Sequence, residues 1–392
     1  MKLSKIGHDL TAITMGIDRF ERVTNDGQSL LDGEGLVPVY LGEDLAAPRK
    51  YAAWEEIRDD LSALETEIGT IKTGERRTFL EGMVRSLRVA VRVFSGGSPT
   101  FEEKVLTLVG APRIREDREM IETTRDRIDR LLASQGFVSG TLRNRVRAWE
   151  DSRAIAPDRI EPMFRALMTE AKQRTADMIF DTGDYDMALN AVHDRPYSAR
   201  WNFDEGQVDL NVDITHSRAT LKHLVCHEAF PGHSTQLLYA KAEVEAGRST
   251  LDALLVTANA ITGCVQEGIA DQGIYLIDWL EDADDQLMLE LRNLQSAAQI
   301  TAIWAYMAEG QPAEQTVTYL RNTALGQDAW VRGRLRTAAH PFKGPFIASY
   351  WAGSEAVRRL RERVSDAQRP DFLRALYGRA QSPQSLEMFP IA

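Results

Sequence analysis

Apolar residues recur at three- and four-residue steps along most of this chain. In Ala47–Lys72 they fall at Trp54, Ile57, Leu61, Leu64 and Ile68, and in Glu75–Phe94 at Phe79, Met83, Leu87 and Ala90, with charges between them. That period marks amphipathic helices. Further stretches predict helices over about 114–134, 140–153 and 157–180, while Ser95–Pro99 and Gly136–Gly140 predict turns. The pattern changes near Thr182-Gly183. Between Met187 and Asp213 the pattern becomes a two-residue alternation (Ala188, Asn190, Val192; Tyr197, Ala199, Trp201; Val208, Leu210, Val212), and Asp204-Glu205-Gly206 fits a hairpin turn. Helices are expected again over about 217–246 with a break, 251–280, 283–309, 313–323, 345–364 and 370–378. The fold class is therefore mainly α, with a small antiparallel β-hairpin or three-stranded sheet. By pattern, a helical N-terminal region (1–180) precedes a region (181–392) holding the sheet, as two lobes or as one continuous domain.

Bulk properties narrow the function classes. A chain of 392 residues can bury a substantial core. No apolar run approaches the roughly 18 residues of a membrane span, and Met1–Leu10 has no sustained apolar stretch, so no membrane is expected as partner and the cytoplasm is the expected location. The net charge of −11 argues against a nucleic-acid partner, which needs a basic face. Cys226 and Cys264 are too few for a disulfide framework and are expected to be buried, inert thiols. The acidic run Glu281-Asp282-Ala283-Asp284-Asp285 reads as a solvated loop and helix start.

Four of the seven histidines lie between His216 and His233. Within that stretch, His227-Glu228-Ala229-Phe230-Pro231-Gly232-His233 carries the parts of a zinc-hydrolase helix at an unusual spacing. In H-E-x-x-H the two rings stand about 40° apart around a helix. At i and i+6 they stand about 120° off a common face. Pro231 has no N–H to give to the carbonyl of His227, and Gly232 permits unusual backbone shapes. A bulge or kink there would return His233 to His227; otherwise the helix simply breaks.

A hydrolytic zinc site needs three protein ligands, an open position and a carboxylate beside the attacking water. His227 and His233 supply two ligands, and Glu228 is placed as general base. Glu267 is the candidate third ligand. Asp271, at i+4 from Glu267 on the same helix face, is placed to accept the other N–H of His227 and fix its tautomer. His223 is the rival for His233, because His223 and His227 at i and i+4 meet without any bulge. His216 reads as a loop residue, and Arg195 and Arg200 as possible anchors for a substrate carboxylate.

His227 to His233 followed by Glu267-Gly268 resembles the H-E-A-x-P-G-H … E-G-x-A signature of the bacterial domain-of-unknown-function family 885, whose members look like relatives of the gluzincin metallopeptidases. The resemblance covers about residues 210–360, chiefly in three short segments. This chain has Ser234 and Ile269 where many members carry His and Trp. The resemblance implies a large helical metallopeptidase-like fold, zinc as cofactor, His227, His233 and Glu267 as ligands and Glu228 as base. Pro345 to Gly353 is similar to a further family segment, which makes Tyr350 the candidate hydrogen-bond donor to the tetrahedral intermediate. His340 is a candidate second donor. The expected activity is zinc-dependent hydrolysis of a peptide bond. The alternatives are a metal-dependent hydrolase of a small amide or ester, and a catalytically silent helical module. The strand Gly206–Asp213 is a candidate for pairing with an extended peptide.

Overall fold

The computed structural model describes residues 2–24, 30–31, 35–42, 44–113, 118–195 and 197–391. Residues 114–117 of the expected helix 114–134 lie outside the described residues. In chain order the elements begin with α1 (Lys2–Thr24), β1 (Val39–Tyr40), α2 (Trp54–Ile68), α3 (Glu75–Phe94) and α4 (Phe101–Glu103). Then come α5 (Arg118–Ser134), α6 (Leu142–Ser152), α7 (Pro157–Met178), β2 (Ala188–Val192), β3 (Ala199–Asn202) and β4 (Gln207–Asn211). Next are α8 (Arg218–Glu228), α9 (His233–Glu245), β5 (Leu255–Val256), α10 (Ile261–Asp271) and α11 (Gly273–Leu276). The chain closes with α12 (Ala283–Met307), α13 (Ala313–Asn322), α14 (Asp328–Ala338), α15 (Ile347–Arg361), α16 (Arg369–Tyr377) and α17 (Pro383–Leu386). The protein is mainly α, 64% helical, and its small sheets have two and three strands among the described residues.

The chain folds into two compact units, each assembled from separate segments. The first comprises Met1–Arg113, Gln236–Ile269 and His340–Ala392. Its core is the apolar face read from the periodicity: Ile57, Leu61, Leu64 and Ile68 of α2 pack with Phe79, Met83, Leu87 and Ala90 of α3 and with Ile6, Leu10, Ile13 and Ile17 of α1. Burying each such Leu or Ile contributes roughly 1.5–3 kcal/mol. The predicted helix 251–280 is several pieces instead: a 3-10 turn at Leu251–Leu254, β5 paired antiparallel with β1, then α10 and α11. The chain turns at Asn259, whose φ of 61° lies in the left-handed region that Asn tolerates better than most residues.

The second unit comprises Ile114–Thr235 and Ala270–Ala339, so residue 180 falls inside it. Its three-stranded sheet has the order β2-β4-β3, with β3 antiparallel to β4 across the expected turn and β2 parallel to β4. Both edges of β4 are occupied. The expectation that Gly206–Asp213 pairs with an extended peptide is therefore wrong, because its backbone groups already serve its neighbours. α8 packs against α7, α11 and α12 and is buried on nearly every face. Its Lys222 is fully buried, 2.5 Å from Asp285 and 2.9 Å from Glu281, with the ammonium over the Trp279 ring. Asp282 caps α12 as a helix start should, accepting from the Asp285 N–H. The same run is not wholly solvated, since Asp285 lies in the interior as the partner that Lys222 requires.

Candidate metal centre

The helical stretch expected over 217–246 is broken at the Pro-Gly step, into two helices. Ser217 caps α8 by accepting from the Thr220 N–H at 3.1 Å, and α8 ends at Glu228. Four residues, Ala229 to Gly232, turn the chain, with a cis bond at Phe230–Pro231, and α9 starts at His233. Gly232 lies so close to the end of α8 that a Cβ would collide with the His227 carbonyl and sit 2.5 Å from that of Cys226. Only glycine fits there. The start of α9 also serves the end of α8: Ser234 Oγ donates to the Glu228 carbonyl at 3.4 Å, and Thr235 N to that of Ala229 at 3.3 Å. This break brings the His227 and His233 rings to 4.9 Å between centroids, nearly perpendicular.

α10 carries Glu267 and Asp271 one turn apart, as the i, i+4 spacing predicts. Small residues make its packing close. A Cβ on Gly353 of α15 would collide with the Cys264 carbonyl, and one on Gly268 would stand 2.9 Å from Gly353 Cα. Cys226 and Cys264 are both fully buried, and burial pushes both thiols up, in keeping with inert roles.

Each of His227, His233 and Glu267 offers a ligand atom within 4.8 Å of the others, and so does each of His223, His227 and Asp271. Two imidazoles and a carboxylate suit zinc, whose ligands at about 2.1 Å stand roughly 3.4 Å apart in a tetrahedral site. Both sets offer those donors. The second is disfavoured by its surroundings. Asp271 Oδ1 lies 3.3 Å from His227 Nδ1 and 3.2 Å from the Arg292 guanidinium. A cation at that carboxylate would meet the charge of Arg292 at close range. Burial would raise the Asp271 carboxyl, but Arg292 and His227 together hold it well below its usual range. Burial and Arg292 push His223 the other way, to a neutral imidazole well below the ordinary value. With Asp271 at Nδ1, Nε2 of His227 is the nitrogen left for a metal, the arrangement common behind metal-bound histidines. His227 is buried while His233 and Glu267 are part-exposed, so the first set has the accessible side that an open coordination position needs.

The remaining candidates lie on several elements. Glu228 is buried at the end of α8, beside His227 in sequence. Tyr350 lies on α15 one turn before Gly353, its ring edge-on to Phe346 at 5.9 Å. His340 is half-buried before the turn into α15, and its Nδ1 accepts from the backbone N–H groups of Phe342 and Lys343 at 3.2 and 2.9 Å. An Nδ1 that accepts puts the proton of the neutral ring on Nε2, making that atom a donor. His216 is a loop residue, as expected, and it is buried, with Nε2 2.8 Å from the Asn211 carbonyl, and burial lowers its pKa. Arg195, between β2 and β3, and Arg200, on β3, are both exposed. Two residues with roles here had no signal in the sequence. Arg292 reaches Asp271 from α12, and Trp201 of β3 stands 5.7 Å from the His233 ring while its Nε1 donates to Ser234 Oγ at 2.9 Å.

No protein-family model matches this chain, and no curated protein does. Among solved structures it is similar to a "putative lipoprotein" from Colwellia psychrerythraea, with a TM-score of 0.61 and 15% identity over 83% of this chain and 65% of that one. A second such protein, from Shewanella oneidensis and of unknown function, aligns with a TM-score of 0.54 and 15% identity over 85% of this chain and 70% of its own. The chain thus spans 65% of the length of the first. At this identity the likeness is one of fold.

Proposed function

We propose that this protein is a zinc-dependent hydrolase, and specifically a peptidase, as its resemblance to family 885 implies. One observation carries the reading. Donor atoms of His227, His233 and Glu267 converge within 4.8 Å, with Asp271 on the Nδ1 side of His227. These three residues would hold the ion, and Asp271 would fix the His227 tautomer. When bound, zinc supplies a Lewis acid that polarises a carbonyl and acidifies a water. Glu228 takes the proton from the attacking water and returns it to the leaving amine. Tyr350 Oη and His340 Nε2 are the proposed donors to the developing oxyanion. The substrate is a peptide or a small amide.

Metal analysis of untagged protein tests the assignment. One zinc per chain is expected, and it should be lost in His227→Ala. Glu228→Gln should keep the zinc and lose about 10²–10⁴-fold in turnover of a peptide mixture. Zinc well below one per chain and unaffected by His227→Ala would sink the reading, and full activity in Glu228→Gln would remove that residue as base.

A further inference from the structure

Beside His233 stands a row of aromatic rings that the reaction outlined above does not use. Trp201 is 5.7 Å from the His233 ring, Phe203 is 5.4 Å from Trp201, and Tyr185 is stacked on Phe203 at 4.9 Å. Trp201 pairs with Val208 and Ala199 with Leu210, so these side chains share one face of the sheet. Val208 and Leu210 are fully buried on that face, whereas Trp201, Phe203 and Tyr185 remain part-exposed. The face is covered over β4 and opens along β3, on the side where His233 stands.

The polar atoms of this row already have protein partners. Trp201 Nε1 donates to Ser234 Oγ at 2.9 Å, and Tyr185 Oη donates to the Phe203 carbonyl at 3.3 Å. Burial also pushes the Tyr185 phenol up to about 12, so it carries no charge near neutrality. What the row offers a ligand is ring surface, held in place by hydrogen bonds. Such a surface favours an aromatic or large aliphatic group through apolar burial and ring–ring contact, and gains little from a polar one.

We propose that Tyr185, Trp201 and Phe203 form the subsite for an aromatic or large aliphatic side chain of the substrate, adjoining the candidate metal ligand His233. This rests on the hydrolase reading for its substrate but not for its binding chemistry. Phe203 is the residue to change, because it lies one ring away from His233.

The test uses the peptides Ala-Ala-X-Ala-Ala with X as Phe, Leu or Gly. Cleavage is measured with zinc-loaded wild type and Phe203→Ala, and equilibrium binding with Glu228→Gln and its Phe203→Ala double variant. Phe and Leu peptides should be cut and bound at least about 10-fold better than the Gly peptide. In Phe203→Ala that ratio should fall toward one. Phe203→Leu, which keeps apolar bulk, should be intermediate and guards against misfolding of the alanine variant. Equal handling of the three peptides, or a preference that survives Phe203→Ala, would overturn the subsite and leave the hydrolase standing. If zinc-loaded wild type cuts no peptide, the hydrolase reading fails, and the binding measurements alone decide the subsite: no Phe-over-Gly difference overturns it.

Discussion

Asp271 distinguishes the two overlapping ligand sets, and its replacement by Asn gives the sharpest test of the candidate centre. The carboxylate lies 3.3 Å from His227 Nδ1 and 3.2 Å from Arg292. At an effective dielectric of about 20, the attraction to Arg292 alone is roughly 5 kcal/mol before screening. The Arg292 side chain is 39% exposed, so the net value is much smaller. In Asp271→Asn the amide oxygen can still accept from Nδ1, but the negative charge behind the ring is lost and Arg292 is left uncompensated. Zinc affinity should fall about 10–100-fold, the usual cost of losing a carboxylate behind a ligating histidine. That is roughly 1.4–2.7 kcal/mol. A chelator competition titration of metal-free protein reads it directly, with His233→Ala and His223→Ala measured beside it. His233→Ala removes a ligand and should weaken binding far more than Asp271→Asn. His223→Ala should leave the affinity within a few-fold. Should His223→Ala abolish binding while His233→Ala retains it, the ligand assignment is wrong and the ion belongs with His223, His227 and Asp271.

Three further outcomes are expected. Gly353→Ala places a Cβ against the Cys264 carbonyl in the crossing of α15 with α10, and should destabilise by about 1–3 kcal/mol or more, read as a lower denaturant midpoint; an unchanged midpoint would refute the close crossing. Lys222→Met strands Asp285 in the interior and should cost about 3–5 kcal/mol in chemical denaturation, whereas Lys222→Met with Asp285→Leu should recover most of it. Glu281 is raised by burial but pulled down to about 2 by Lys222 and Arg218. Its folded form therefore binds protons less readily than the unfolded chain, so its contribution is full above the ordinary carboxylate pKa and is lost as the pH falls toward 2. With a side chain 40% exposed, that contribution is roughly 1 kcal/mol or less, and Glu281→Gln should flatten the loss of stability between about pH 5 and 2 by that amount.

The sequence by itself determined what depends on neighbours along the chain. Periodicity marked α2, α3, α7 and α12 because an amphipathic helix repeats its buried face every turn, and alternation marked the β3–β4 hairpin because a strand repeats its face every second residue. It did not single out α14, where Val331 and Ala338 are the buried positions and the apolar face is sparse. It also joined α10 and α11 to the preceding 3-10 turn, since a turn at one Asn leaves little trace in a hydrophobic pattern. At the site, the order of His227, Glu228, Pro231, Gly232 and His233 confined the possibilities to a bulged helix or a broken one. The tertiary structure decided the rest. The four residues from Ala229 to Gly232, with Gly232 against the carbonyls of Cys226 and His227, set His233 beside His227. Arg292, from another helix 21 residues further along the chain, makes the Asp271 carboxylate an unsuitable cation ligand and a suitable hydrogen-bond partner. Spacing can show which side chains are able to meet on one helix; the charge that separates one meeting from another arrives from elsewhere in the fold.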